Sequence, residues 1–94
     1  MTATMEWKLF ADLAELAGDR EPAVDAVPGE TVGDALDALL AQHPTLADRV
    51  LDDGTLRPEI NVLRNGTDVE SEAGLETELE AGDELALFPP VSGG

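Results

Sequence analysis

Gly93 and Gly94 close the sequence, directly after an apolar stretch and a double proline: Leu85, Ala86, Leu87, Phe88, Pro89, Pro90, Val91 and Ser92. A carboxylate carried on residues without side chains is a chemical handle rather than a packing element. Without a Cβ, glycine passes through a narrow channel and takes backbone angles that other residues avoid. A partner enzyme can thread such a tail and reach its terminal carboxyl carbon from either side. Pro89 and Pro90 favour a stiff extended conformation. Six residues from Pro89 at about 3.3 Å each span roughly 20 Å, enough to enter another protein's active site while the body stays outside. A carboxylate is a poor electrophile at neutral pH, so any acyl chemistry at Gly94 requires activation from outside.

No other residue set offers comparable chemistry. The acidic pairs Asp52-Asp53 and Asp83-Glu84 lie beside Gly54 and Gly82, in turn-like sequence where carboxylates are expected to be solvated. Their spacing matches neither a calcium loop nor a His-carboxylate site. His43 is the single histidine, and no serine or cysteine stands in a recognisable pattern with it. Gly29, Gly33 and Gly66 do not form a phosphate-binding spacing. With no cysteine there is no disulfide, no thiolate metal site and no thiol nucleophile. If the protein handles sulfur, a partner must supply it. The chain reads as a carrier or substrate rather than an enzyme, with no bound cofactor and no metal.

Twenty-one Asp and Glu against five Lys and Arg give a net charge of −16, with Lys8 the sole lysine. Such acidity excludes nucleic-acid binding, which needs a basic footprint. Charge of this size repels itself in dilute buffer. At molar salt the Debye length falls to about 3 Å, so acids spread over the whole chain are expected as an adaptation to a halophilic cytoplasm. The competing reading is a face for a basic partner. Apolar content is 43%, nearly all aliphatic, with Trp7, Phe10 and Phe88 the only aromatics. That suffices for one modest core in one domain. No stretch approaches the roughly 18 apolar residues of a membrane span, and no signal peptide is apparent, so a cytoplasmic location is expected and no membrane partner.

The elements that would position the tail follow from periodicity. Met5–Phe10 alternates, with Met5, Trp7 and Leu9 set against Glu6, Lys8 and Phe10, and predicts a half-buried strand. Leu13, Leu16 and Ala17 have helical spacing over 11–17, and Gly18 suits the C′ position. Pro22–Val27 predicts a short strand that pairs with the first as a hairpin. Thr31–Gln42 predicts the main helix: Thr31 and Asp34 fit a capping box, and Val32, Ala35, Leu36, Leu39 and Leu40 form one apolar stripe. His43-Pro44 ends it, and Pro44–Leu51 predicts a further helical turn. Ile60–Leu63, Asn65-Gly66 and Thr67–Val69 predict a hairpin with a type I′ turn. Glu84–Phe88 predicts the last strand, and Pro89-Pro90 stops pairing because neither can donate to a ladder. The order predicts an α+β fold, with residues 1–88 as the domain and 89–94 as a flexible extended tail.

Four stretches resemble the small sulfur-carrier proteins of the ubiquitin-like superfamily, in that family's order. They are Leu9–Gly18 (LFADLAELAG), Thr31–Leu36 (TVGDAL), Ile60–Gly66 (INVLRNG) and Ala81–Gly94 (AGDELALFPPVSGG). The likeness covers the chain from about Met5, and the last stretch is the specific one. Arg20–Gly29 and Val69–Glu80 carry no signature of the family. In particular the chain resembles the molybdopterin-synthase small subunit, ThiS-like carriers and the haloarchaeal small modifiers.

The resemblance implies a β-grasp fold, a mixed four- to five-stranded sheet over one main helix. It implies that a ubiquitin-activating-type enzyme uses ATP to adenylate Gly94. The adenylate would then become a thiocarboxylate for sulfur transfer, as in molybdopterin biosynthesis with a large synthase subunit, or would be joined to lysines of target proteins. In that scheme Gly93 supplies clearance, and Pro89, Pro90, Val91 and Ser92 form the spacer. Leu63, Leu87 and Phe88 are the expected docking residues, with Phe88 outward and Leu85 and Leu87 sharing the inward face. The alternative from another class is a passive β-grasp interaction module whose tail does no chemistry.

Overall fold

The computed structural model describes residues 3–26 and 29–89. The tail from Pro90 and the end of the second expected strand, Val27, lie outside the described residues. Strand β1 (Ala3–Leu9), helix α1 (Asp12–Ala17), strand β2 (Ala23–Ala26), helices α2 (Val32–Gln42) and α3 (Pro44–Val50) and the short pair β3 (Leu51–Asp52) and β4 (Thr55–Leu56) come first. Strands β5 (Asn61–Arg64), β6 (Thr67–Asp68) and β7 (Glu84–Phe88) complete the chain. Five strands form one sheet in the order β2-β1-β7-β5-β6. The central pair β1 and β7 is parallel, and every other pair is antiparallel. A mixed sheet with its first and last strands central, set against one long helix, is the β-grasp arrangement.

Alternation decides which side faces the helix. Met5, Trp7 and Leu9 of β1, Val62 of β5, and Leu85 and Leu87 of β7 are buried. They pack with Val32, Ala35, Leu36, Leu39 and Leu40 of α2, which occupy one stripe as their spacing requires. Trp7 ties the two layers together: its indole Nε1 donates to the Ala35 carbonyl oxygen at 3.2 Å, so the largest core side chain is buried without an unmet polar group. Truncating a fully buried aromatic of this kind costs about 3–5 kcal/mol.

Local chemistry sets the element ends. At α2, the Asp34 N–H donates to Thr31 Oγ1 at 3.2 Å and the Thr31 N–H donates to Asp34 Oδ2 at 3.0 Å, a complete capping box. Gly18 ends α1 in the left-handed region, its N–H donating to the Ala14 carbonyl. Asn65 and Gly66 both have positive φ, 53° and 83°, as a type I′ turn demands. Pro44 opens α3, which runs two turns instead of one. Two segments depart from expectation. Asp53-Gly54 is the bend of a separate two-stranded hairpin, β3–β4, with positive φ at both residues and Asp52 at the end of β3. The return strand β6 stops at Asp68, and Val69–Ser71 and Gly74–Glu76 are single 3-10 turns that lead to the buried Leu79.

Candidate functional site

The outward face of the sheet is built by the register that buries the other face. Lys8 lies opposite Ala86, Ala86 opposite Leu63, and Leu63 opposite Asp68, which makes one row across four strands. In the next row Asn61 lies opposite Phe88, and Phe10 joins from the end of β1. The Phe10 and Phe88 rings stack with centroids 4.1 Å apart and planes 10° from parallel. Phe10 is 38% exposed, one of two large hydrophobic side chains left this open among the described residues, and Phe88, Leu63 and Ala86 are half-buried. Pro89 continues from Phe88 and is the last residue described. A shallow groove lined by Asn61, Leu63, Gly66, Asp68, Phe88 and Pro89 runs along the root of the tail.

An unusual backbone follows Phe10. Ala11, between β1 and α1, has φ 54° and ψ −132°, a conformation that costs a non-glycine residue about 1–3 kcal/mol. The turn it makes carries the chain into α1 directly after Phe10, whose ring stacks on Phe88. Sequence reading passed over Phe10 as a docking residue. The available signal was its place among the outward positions Glu6 and Lys8, at the end nearest the tail.

Leu87 is corrected. It is fully buried, because in a strand its neighbour Phe88 takes the opposite face. It therefore supports the outward face from beneath and does not form part of it. Phe88 and Leu63 lie on the outward face as expected, with Phe88 covered on one side by Phe10. Asp83 is also corrected, being neither solvated nor free. Its Oδ2 accepts from Arg64 Nε and from the Glu80 N–H, both at 2.7 Å, and its Oδ1 accepts from Asn65 Nδ2 at 2.9 Å. Burial alone pushes its carboxyl up, but these hydrogen bonds and the Arg64 charge outweigh burial and hold it below the usual carboxylate range. Asn65 Oδ1 in turn accepts from the Glu84 N–H at 2.9 Å. The network pins the Asn65-Gly66 turn to the start of β7, and so fixes the strand that ends at the tail. Its role is structural. Asp52, at the end of β3, and Asp53, on the β3–β4 bend, are exposed. His43 is half-buried between α2 and α3. Among the described residues no cluster of His, Cys, Asp or Glu could hold a metal ion, and no helix is long and apolar enough to cross a membrane.

The ThiS family matches residues 7–94. Small archaeal modifier protein 1 of Haloferax volcanii is 63% identical over 91 residues, covering 96% of this chain and 100% of the relative. A crystal structure of that modifier superposes with a TM-score of 0.88 at 60% identity, over 98% of this chain and 100% of the other. The sulfur carrier protein CysO of Mycobacterium tuberculosis is 32% identical over 69 residues, 70% of this chain and 74% of the relative. A crystal structure of the Amycolatopsis orientalis BexX/CysO complex matches with a TM-score of 0.79 at 28% identity, over 96% of this chain and 99% of that one. These relatives are small modifiers and sulfur carriers, not catalysts. The chain belongs to the ThiS family of ubiquitin-like β-grasp proteins, among the archaeal small modifiers and sulfur carriers.

Proposed function

We propose that this chain is a ubiquitin-like modifier and sulfur carrier whose reacting group is the carboxylate of Gly94. A ubiquitin-activating-type enzyme spends ATP to form a mixed anhydride between that carboxylate and AMP, with release of pyrophosphate. This turns a poor electrophile into an acyl donor with a good leaving group. Sulfide delivered by a partner converts the adenylate into a thiocarboxylate, which carries sulfur to molybdopterin in a large synthase subunit. Alternatively, a lysine of a target protein attacks it and forms an isopeptide bond. This chain's own residues do not catalyse these steps. Gly93 gives clearance, Ser92, Val91, Pro90 and Pro89 form the spacer, and Phe88, Leu63 and Phe10 hold the activating enzyme. The setting is cytoplasmic, and molar salt suits the −16 charge.

The observation that carries the reading is the join of a terminal Gly93-Gly94 to a partly exposed aromatic pair at the root of the same tail. The complex in which CysO is held by BexX supports partnering by a protein of this fold. Deleting Gly93-Gly94 tests it. Melting should stay within the roughly ±0.5 kcal/mol of ordinary surface changes, and ATP–pyrophosphate exchange by the cognate activating enzyme should vanish. A deleted form that still exchanged would return the chain to the passive-module reading.

A further inference from the structure

Of the two asparagines, Asn61 and Asn65, only Asn65 is followed by glycine. Asn65 and Gly66 form the exposed turn between β5 and β6, with φ 53° and 83°. An amide in this setting carries chemistry of its own. The main-chain nitrogen of the next residue can attack the side-chain carbonyl carbon, and glycine offers that nitrogen without a Cβ in the way. Nothing lies within 4 Å of where a Cβ on Gly66 would sit, and the Gly66 N–H donates to no group among the described residues. Asn65 Oδ1 accepts from the Glu84 N–H at 2.9 Å. A donor so placed polarises the carbonyl and supports the negative charge that attack develops on Oδ1. One contact opposes the reaction: Asn65 Nδ2 donates to Asp83 Oδ1 at 2.9 Å, a bond to a charged acceptor that holds the amide in place. Asn61 differs on each count, since it lies in β5 and precedes the β-branched Val62.

We propose that Asn65 is a site of spontaneous deamidation, that its bond to Asp83 sets the pace, and that the acid formed breaks the network at the start of β7. In the first step the Gly66 nitrogen gives its proton to hydroxide and attacks Asn65 Cγ. The N–Cγ bond forms, the Cγ–Nδ2 bond breaks, and ammonia leaves with the electron pair and a proton from water. Water then adds to the cyclic imide. Opening at Cγ leaves aspartate, and opening at the main-chain carbonyl leaves isoaspartate, with the backbone rerouted through the side-chain carbons. Nothing is oxidised or reduced, and water is the only co-reactant. Neither product owns the Nδ2 donor. Aspartate sets a second carboxylate against Asp83, where like charges repel. Isoaspartate lengthens the main chain of a tight turn whose geometry fixes the hairpin register. Asp53-Gly54 is a built-in comparison. Its φ values of 55° and 81° match those of Asn65-Gly66, but a carboxylate is a poorer acyl group than an amide, and its imide forms more slowly.

The test holds the full chain in mildly alkaline molar KCl, beside a synthetic peptide of residues 63–68, and follows both by mass spectrometry. The chain should gain the difference between water added and ammonia lost, at Asn65 and not at Asn61. Isoaspartate should be registered by methyl transfer from a purified isoaspartyl methyltransferase, and tandem mass spectrometry should place more of it at residue 65 than at residue 53. Asp83→Ala should convert about tenfold faster than the intact chain, because a hydrogen bond to a charged group no longer holds the amide. Asn65→Asp, the product made directly, should melt at least about 4 °C lower than the wild type. If that variant does not fold, the deamidated fraction separated by anion exchange supplies the melting curve. No conversion at Asn65 over many lifetimes of the peptide, equal rates in Asp83→Ala and the intact chain, or a product that melts with the wild type would each overturn the proposal.

Discussion

Replacing Phe88 with alanine separates docking from folding, and the structure sets both magnitudes. On the folding side, the change removes the stack with Phe10 at 4.1 Å, worth about 0.5–1.5 kcal/mol beyond area burial. It also removes the burial of a ring that is only half-buried, so about half of the 1.5–3 kcal/mol for fully burying such a side chain is at stake. The sum is about 1–3 kcal/mol. Leu87→Ala is the internal standard: Leu87 is fully buried, and truncating such a leucine costs about 2–5 kcal/mol. On the docking side, an aromatic at the centre of an apolar patch is the usual kind of hot spot, and its loss should weaken the complex with the activating enzyme by about 2 kcal/mol, roughly 30-fold in Kd. Phe10→Ala should lose affinity too. The double variant should be less than additive in both properties, because the rings contact each other. Denaturant unfolding and titration calorimetry on the wild type, the two single variants, the double variant and Leu87→Ala decide the matter. If Phe88→Ala destabilised the fold more than Leu87→Ala and left affinity unchanged, Phe88 would be a core residue and the docking face would lie elsewhere.

Other perturbations address the rest of the argument. Twenty-one acids against five bases imply that melting temperature rises as KCl goes from about 0.1 M to above 1 M; a flat melting curve across that series would mean the charges are already compensated. Ala11→Gly should stabilise the fold by about 1 kcal/mol, since relief of about 1–3 kcal/mol of strain exceeds the backbone entropy cost of glycine. A destabilised variant in chemical denaturation would show that Ala11 is not strained. Asp83 gives a pH signature. Its folded pKa lies below the ordinary aspartate value of 3.8, so its contribution is fully present above that value and is lost as pH falls through the lower folded value. Asp83→Asn should flatten the acid limb of the stability curve and lower stability at neutral pH, and an unchanged limb would remove Asp83 from the account.

Much of this was legible in the sequence because the signals were local. Thr31 and Asp34 announced the capped helix, Asn65-Gly66 the type I′ hairpin, and the alternation of Met5, Trp7 and Leu9 the central strand. What was not legible depended on contacts between distant segments. Asp83 looked like a solvated turn acid until Arg64, 19 residues away in sequence, was seen to close on it. The β3–β4 hairpin has strands of two residues each, too short for any period to register. Phe10 was visible as an outward position, but its meeting with Phe88 required the parallel pairing of the first and last strands, which no local pattern encodes.

That pairing is also where folding and function join. Trp7 lies opposite Leu85 and Leu9 opposite Leu87, so the inward sides of β1 and β7 form the centre of the core. The same register leaves Lys8 opposite Ala86 on the outward side, with Phe10 and Phe88 beyond them. A slip of one residue would turn every side chain on β7 to the other face, exposing Leu85 and Leu87 and burying Glu84 against the helix. The buried leucines and the indole contact with α2 therefore enforce the outward placement of Phe88 as strictly as they enforce the fold. β7 ends at Phe88, and Pro89, which cannot donate to a ladder, follows it beside that face. The same few strand positions thus build both the core and the outward aromatic pair beside Pro89.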